Sequence, residues 1–297
     1  MKIFIDTADL DEIKMACSWG VVDGVTTNPS LIKKAVDKRG GKVTMADYIP
    51  EIIKTVPGPV SLEVIAVEEK EMVKQARFLY KKFSPYGKVA IKIPINTCIE
   101  KGKDEFEGLK AIKQLSSEGI PINTTLIFTP TQALLCAKAG AVYVSPFAGR
   151  LDDYIRGKMG MKSGVDFGRD DYFDSDLMKA ILAREIKLRE TNSISQLYTG
   201  LTKSFETVHD NGVYSGVDLV KKIVTIYKNY GYKTEVLAAS IRNARQVMDV
   251  AEAGAHVATI PFNVLNEMVC HQKTVEGIKS FTADLVPAYE KLFTGKR

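Results

Sequence analysis

The chain has 297 residues, 45% hydrophobic and 26% charged, so it can bury a large core as one α/β barrel or as two smaller domains. Its 41 Lys and Arg exceed its 36 Asp and Glu, for a net charge of +5, but the basic residues are scattered, which favours small anionic ligands over nucleic acid. The four cysteines lie far apart without CxxC pairs, which indicates neither a zinc site nor a disulfide framework.

No apolar run is long enough to span a bilayer, and the chain opens directly on a strand pattern instead of a charged and apolar leader. We therefore expect a cytoplasmic protein with no membrane partner. Reduced thiols are expected in that compartment.

Predicted strands alternate with predicted helices along the chain. Helical patterns cover residues 9–19, the stretch from residue 29 onward, a stretch ending near residue 54, residues 68–82, 104–117 and 129–138, and a stretch after residue 243. Residues 146–150 are interpreted as the exit loop of the sixth strand. Strand patterns occupy residues 2–6, 24–30, 60–65, 88–94, 120–127, 141–145, 235–239 and 256–260.

This rhythm predicts the fold class: α/β, a (β/α)8 TIM barrel with an insertion after the sixth strand and an extra C-terminal helix. We expect one barrel domain over residues 1–297. The inserted segment, residues 153–213, is too long for one connection, and residues 175–189 have the composition of an amphipathic helix. A connection at this place lies on the carboxyl face of the barrel, so it is a lid, a subunit contact or a surface decoration.

The strand at residues 88–94 carries Lys92 in the middle of a β-branched, apolar run that Pro94 closes. A buried ammonium loses its hydration and its pKa falls, which is how an amine becomes a nucleophile at neutral pH. The alternative is an edge strand whose lysine points to solvent. This stretch alone leaves both interpretations open.

Polar side chains stand at the carboxyl ends of the predicted strands. Each alone could be a helix cap or a turn residue, but in a barrel they converge on one end. A lysine with two carboxylates suits Schiff-base chemistry, and two arginines with two serines suit a terminal phosphate. The set is Asp6, Asn28, Glu63, Lys92, Asn123, Thr125, Ser145, Arg150, Ser240 and Arg242.

The segments that carry these residues resemble the transaldolases and the closely related fructose-6-phosphate aldolases. The resemblance covers most of the chain in order, excluding residues 153–213, and the combination is far more specific than any single piece. The matching pieces are Asp6-Thr7, Thr26-Thr27-Asn28-Pro29-Ser30, Glu63, Lys92 after Val89-Ala90-Ile91, Asn123-Thr124-Thr125-Leu126, Ser145-Pro146-Phe147-Ala148-Gly149-Arg150 and Ala238-Ala239-Ser240-Ile241-Arg242-Asn243.

The resemblance implies that Lys92 forms a Schiff base with a sugar phosphate and that Asp6 is the acid/base for carbon–carbon cleavage. It implies that Glu63 and Thr125 hold the catalytic water, and it implies no metal and no organic cofactor. The substrate-binding residues that it implies are Asn28 and Asn123 on the dihydroxyacetone hydroxyls, Arg150, Ser240 and Arg242 on the phosphate, and Thr26, Ser145 and Phe147 as further members of the site.

Three functions stay open at this point: a transaldolase, an aldolase that releases free dihydroxyacetone, and a barrel that binds a sugar phosphate without turnover. In the aldolase branch of the family, the positions that match Phe147 and Glu63 are tyrosine and glutamine, so this chain resembles the transaldolases at both. Phe147 could also simply pack against the sixth strand. The inserted segment and the long loop at residues 96–103 flank the expected site, which leaves the acceptor sugar open.

After the last strand, residues 278–294 place apolar side chains on one predicted helical face. Such a face covers either its own barrel or a neighbouring subunit, and the resemblance favours a homo-oligomer. The apolar residues are Ile278, Phe281, Leu285, Tyr289 and Leu292.

Overall fold

The computed structural model of the protein describes residues 1–40, 43–99, 104–188, 208–284, 289 and 292–293. Eight parallel strands form a closed barrel in the order of the sequence, which confirms the predicted fold class. The strands are β1 (Lys2–Asp6), β2 (Gly24–Thr26), β3 (Val60–Glu63), β4 (Val89–Pro94), β5 (Ile122–Ile127), β6 (Tyr143–Pro146), β7 (Glu235–Ala238) and β8 (Val257–Ile260).

Helices surround the barrel and connect consecutive strands. None of the helices within the described ranges is long and apolar enough to cross a membrane. Their bounds are α1 (Leu10–Ser18), α2 (Pro29–Lys38), α3 (Met45–Thr55), α4 (Glu69–Phe83), α5 (Glu107–Ser117), α6 (Pro130–Ala139), α7 (Ala148–Lys158), α8 (Ser175–Leu188), α9 (Gly216–Tyr230), α10 (Ala244–Glu252), α11 (Phe262–Glu267) and α12 (Gln272–Ala283).

Both faces of β4 are buried, which explains its apolar composition. Ile91 and Ile93 belong to the large cluster between strands and helices, whereas Ala90 belongs to a smaller cluster inside the barrel. Because side chains alternate along a strand, Lys92 points into the barrel together with Ala90. A closed barrel has no edge strand, and Lys92 is only 8% exposed, so the interpretation as an edge lysine in solvent is wrong.

The carboxyl end of β5 contains a bulge. Its pairing with β6 shifts between Thr124 and Ile127, and Leu126 takes a left-handed backbone conformation with φ of 59°. The extra residue turns Ile127 outward to the helix layer, while Leu126 packs against the cluster inside the barrel. Thr125, between them, is fully buried.

The long connection between β6 and β7 differs in detail from the sequence interpretation. Pro146 ends β6 and α7 begins at Ala148, so the prediction of an exit loop at residues 146–150 is wrong and Arg150 lies in the first turn of a helix. Helix α7 also runs past residue 153, where the insertion was expected to begin, and α9 was not anticipated at all.

Two of the expectations extend outside the described residues. In the inserted segment, α8 occupies most of the predicted helix at residues 175–189, whereas residues 189–207 lie outside the described part. The extra C-terminal helix α12 begins at Gln272, six residues before the expected start, and most of residues 285–294, including Leu285, lie outside the described part.

Candidate active site

A cavity of about 200 Å³ opens at the carboxyl end of the barrel. A larger cavity of about 670 Å³ lies at the opposite end, around Lys2, Val89 and Tyr143, but active sites of (β/α)8 barrels are built at the carboxyl face. Nine of the twelve residues proposed from the sequence line the smaller cavity: Asp6, Thr26, Asn28, Lys92, Ser145, Phe147, Arg150, Ser240 and Arg242.

Lys92 lies at the centre of this site. Glu63 and Lys92 are direct neighbours in the register of β3 and β4, and the Lys92 Nζ donates a hydrogen bond of 3.2 Å to Glu63 Oε2. The Phe147 ring covers the amine at 5.7 Å from Nζ to the ring centroid. The amine is therefore held by one carboxylate and one aromatic face inside the barrel mouth.

Asp6, at the end of β1, is half-buried and held by a chain of hydroxyl groups. Thr26 Oγ1 donates to Asp6 Oδ1 at 2.7 Å and lies 2.6 Å from Thr259 Oγ1. Burial raises the pKa of the Asp6 carboxyl, and the Thr26 hydrogen bond and the positive charge of Lys92 oppose that rise. A carboxylate with a raised pKa beside an amine has the chemistry of a proton acceptor and donor.

Asn123 and Ser145 form a buried polar network, and Ser145 also lines the cavity. Asn123 is the register partner of Lys92; its Nδ2 donates to Ser61 Oγ at 3.1 Å, and its Oδ1 accepts from Ser145 Oγ at 2.7 Å. Thr125 follows on the same strand, and its buried Oγ1 has no hydrogen-bond partner among the described residues. Buried hydroxyls normally have a partner, which makes the Thr125 hydroxyl unusual.

Asn28 reaches the cavity from the start of α2. It is the N-cap of this helix: its Oδ1 accepts a hydrogen bond of 3.0 Å from the Leu31 backbone N–H. Pro29 at the first helical position fixes the turn. The side chain that caps α2 therefore also lines the cavity.

Two arginines and a serine form the other end of the cavity. Gly149 in α7 approaches the loop after β7 so closely that its N–H donates to the Ser240 carbonyl at 3.1 Å. Ser240 has a left-handed φ of 60°, a conformation that costs roughly 1–2 kcal/mol for an L residue. The Arg242 guanidinium donates to Asp153 Oδ2 at 2.7 Å, and Arg150 stacks on the Phe147 ring at 5.1 Å.

Gln246 in α10 contacts the loop after β7, which carries Ser240 and Arg242. Its Oε1 accepts a hydrogen bond of 2.9 Å from the Arg242 backbone N–H, and its Nε2 donates to Asp152 Oδ2 at 2.9 Å. Asp152 also accepts from the Gly216 N–H at 2.7 Å. Burial raises the pKa of the Asp152 carboxyl to about 7, although both of its oxygens accept hydrogen bonds.

The positive charges at this end of the cavity affect one another. Burial lowers the pKa of Arg242, the nearby Asp153 raises it, and Arg169 and Arg150 lower it further. Arg169 also lines the cavity, and the sequence interpretation missed it. Arg169 lies in the inserted segment without strand or helix periodicity, so no sequence signal pointed to it.

The fold and the site together define a (β/α)8 barrel with an amine–carboxylate centre beside a cationic end lined by arginines. The family model for "Transaldolase/Fructose-6-phosphate aldolase" matches residues 3–186 and 191–294. The chain therefore belongs to the transaldolase/fructose-6-phosphate aldolase family.

Several relatives match nearly the whole chain. A "Probable transaldolase" of Herpetosiphon aurantiacus is 41% identical over 284 residues, covering 96% of this chain and 94% of the relative. A "Probable transaldolase" of Chlorobaculum parvum is 42% identical over 287 residues, covering 96% and 97%. A third, from Kosmotoga olearia, is 40% identical over 284 residues, covering 96% and 95%.

The acidic, cysteine and histidine side chains do not form a metal-binding group of three or more anywhere in the described ranges.

Three of the proposed residues do not line the cavity itself: Glu63, Asn123 and Thr125. Glu63 contacts Lys92, and Asn123 contacts Ser145. Thr125 lies on β5 in register with Pro94 at the end of β4. Nine of the twelve residues proposed from the sequence thus line the cavity, Glu63 and Asn123 contact a residue that does, and Thr125 has no side-chain hydrogen bond to the others among the described residues.

Proposed function

We propose that the protein is a transaldolase, which transfers a dihydroxyacetone unit from a ketose phosphate, fructose 6-phosphate or sedoheptulose 7-phosphate, to an aldose phosphate. The observation that carries the proposal is the buried Lys92 amine, 3.2 Å from Glu63, in one cavity with Asp6 and the arginines. Membership of the family supports it, as do the names of the relatives.

In this mechanism the Lys92 amine attacks C2 of the ketose, and loss of water gives a protonated imine. Asp6 takes the proton of the C4 hydroxyl, the C3–C4 bond breaks, and its electrons enter the imine to form an enamine. The aldose phosphate product leaves, and an acceptor aldehyde takes its place. The enamine attacks the acceptor carbonyl, Asp6 returns the proton, and water releases the new ketose phosphate.

The other residues position the reacting groups. Glu63 and Thr125 hold the water that leaves and returns at C2, which is supported by the buried Thr125 hydroxyl without a partner among the described residues. Asn28 and Asn123 bind the hydroxyls of the dihydroxyacetone unit, and Thr26 orients Asp6. Arg150, Ser240 and Arg242 hold the terminal phosphate, because guanidinium groups match its geometry.

Transfer is favoured over release of free dihydroxyacetone by the ring that covers the amine. The Phe147 phenyl group lies 5.7 Å from Lys92 Nζ and cannot donate a hydrogen bond to a water that would protonate the enamine. The enamine should therefore survive until an aldehyde captures it. A tyrosine at this position would supply the missing hydroxyl.

The first test is reduction by borohydride in the presence of fructose 6-phosphate. The wild type should gain the mass of the reduced dihydroxyacetone adduct, and Lys92→Ala should neither gain mass nor turn over substrate, while its unfolding curve stays close to that of the wild type. An adduct in Lys92→Ala would show that another residue is the nucleophile. Absence of an adduct in the wild type would favour a barrel that binds a sugar phosphate without turnover.

The second test separates a transaldolase from an aldolase. Glyceraldehyde 3-phosphate release from fructose 6-phosphate is measured with and without erythrose 4-phosphate. The wild type should release it much faster with the acceptor, and Phe147→Tyr should raise the rate without the acceptor relative to the rate with it. Equal rates in the wild type under both conditions would favour the aldolase.

The proposal extends to the setting of the enzyme: a cytoplasmic homo-oligomer that acts on sugar phosphates of the pentose phosphate pathway. The exposed apolar side chains of α12 support the oligomer, since Ile278 is 57% and Phe281 78% exposed. A row of exposed apolar groups on a terminal helix is typical of a subunit contact.

A further inference from the structure

The part of the inserted segment that follows α7 is attached to this helix through one buried side chain. Arg156, which is only 4% exposed, donates a hydrogen bond of 2.9 Å to the Asp171 carbonyl. Its guanidinium also stacks on Phe167 at 4.4 Å and on Phe173 at 5.2 Å. A buried cation between two aromatic rings fixes the backbone on both sides of residues 168–172.

A second set of contacts fixes the same segment to α10. Asn243, the N-cap of α10, donates through Nδ2 to the Asp170 carbonyl at 2.9 Å. The Tyr172 hydroxyl donates to Asp249 at 2.5 Å, and the Arg245 guanidinium covers the Tyr172 ring at 3.7 Å. The segment is therefore attached to α7, which carries Arg150, and to α10, which follows the loop that carries Ser240 and Arg242.

Arg169 lies between these attachments and lines the cavity with Arg150 and Arg242. Among the described residues, no carboxylate forms an ion pair or hydrogen bond with Arg169 or Arg150, whereas Arg242 is paired with Asp153 at 2.7 Å. Two of the three guanidinium groups thus lack an ion-pair partner in the part of the chain that the structure describes. Like charges that line the same cavity repel each other, which favours an anion between them.

A phosphate monoester carries about −1.5 to −2 charges at pH 7. Asp153 is shared between Arg242 at 2.7 Å and Arg156 at 3.6 Å, so the two positive charges that lack a carboxylate partner within the described ranges are those of Arg150 and Arg169. We propose that Arg169 is a substrate-binding residue that contacts the terminal phosphate of the sugar phosphate, so that the inserted segment contributes to phosphate specificity. This inference rests on the proposed function of the site.

The kinetic test uses Arg169→Ala, with Lys162→Ala as the matched control, because Lys162 is an exposed cation of the same segment that does not line the cavity. With saturating fructose 6-phosphate as donor, kcat/KM is measured for erythrose 4-phosphate and for unphosphorylated erythrose. For a transfer through an enzyme-bound intermediate, kcat/KM of the acceptor reports only on the acceptor step.

Arg169→Ala should lower kcat/KM for erythrose 4-phosphate about 10- to 100-fold, the value of one charge-assisted hydrogen bond, and leave the value for erythrose within about twofold. The kcat/KM of Arg169→Lys for erythrose 4-phosphate should lie between those of the wild type and Arg169→Ala, and Lys162→Ala should match the wild type. Equal losses for both acceptors, or no loss for either, would overturn the proposal.

A calorimetric measurement of inorganic phosphate binding keeps this inference separate from the catalytic proposal, since it needs no turnover. The wild type should bind phosphate at least about 10-fold more tightly than Arg169→Ala does. Failure of borohydride trapping in the wild type would refute the catalytic proposal alone. Identical phosphate affinities of the two proteins would refute the function of Arg169 alone.

Discussion

Gly149 is the residue whose replacement best tests the architecture of the arginine-lined end of the cavity. It lies in the first turn of α7, and a Cβ added there would lie 2.4 Å from the Ser240 carbonyl oxygen and 2.4 Å from Arg242 Nε. Cβ atoms essentially never approach a neighbour more closely than 3.0 Å. In Gly149→Ala the loop after β7 therefore has to move away from α7.

The size of the effect follows from these distances. An ordinary contact begins at 3.4 Å, so the Ser240 and Arg242 groups must retreat by about 1 Å, and a misplacement of this size typically costs about 100-fold in rate. We expect kcat/KM for fructose 6-phosphate to fall about 100-fold. Overpacking should also lower the free energy of unfolding by about 1–3 kcal/mol.

The assay is coupled detection of glyceraldehyde 3-phosphate, combined with urea unfolding. Gly157→Ala is the matched control, because it lies in the same helix and a Cβ there would meet nothing within 4 Å. This control should keep wild-type kinetics and gain about 0.5–1 kcal/mol of stability, since alanine is the better helix former. Wild-type kcat/KM in Gly149→Ala would refute the reasoning.

Three further predictions concern the carboxylates and the terminal helix. Thr26→Val removes the hydrogen bond to Asp6 and should raise the pKa of Asp6, so that the acidic limb of the pH profile of kcat/KM moves upward by about one unit; an unmoved limb would argue against Asp6 as the catalytic base. Asp152 has a pKa raised to about 7, so the stability that it contributes is complete below its unfolded-state pKa of about 3.9 and is lost as the pH rises through 7. The free energy of unfolding should be about 2 kcal/mol higher at pH 5.5 than at pH 8 in urea titrations, and Asp152→Asn should lose this difference; an equal difference in the variant would assign it to other groups. Sedimentation of the full chain at micromolar concentration should give a mass above the 32.8 kDa of one chain, because the face around Phe281 is exposed, and sedimentation as a monomer would rule the homo-oligomer out.

The barrel and its central residues could be predicted from the sequence because local patterns encode them. An apolar run interrupted by one ionisable residue, as at Glu63 and Lys92, indicates a strand with a polar residue near its carboxyl end. Parallel strands then bring such residues to one place. Asp6 and Asn28 were found in the same way, each beside the acidic or proline-containing start of a helix.

The features that escaped prediction depend on contacts between distant segments. Pro146 and Gly149 are typical of a loop, but Gly149 lies in α7, where this helix contacts the loop after β7. Arg150 is helical because it follows Gly149 in the first turn of α7. Arg169 reaches the cavity only because Tyr172 and Arg156 attach its segment to two helices. The sequence pattern of the inserted segment gives no indication of those contacts with α7 and α10.

The residues of the site are unevenly distributed around the barrel, and this bears on how such enzymes diversify. The proposed chemistry lies on the first five strands with Lys92 at their centre, whereas every arginine of the cavity comes from the stretch between β6 and α10. Exchange of residues 148–174 and 240–249 between relatives would thus transplant the recognition of the anionic group without touching the nucleophile. A directed-evolution library confined to those two stretches would search acceptor preference on an unchanged catalytic half.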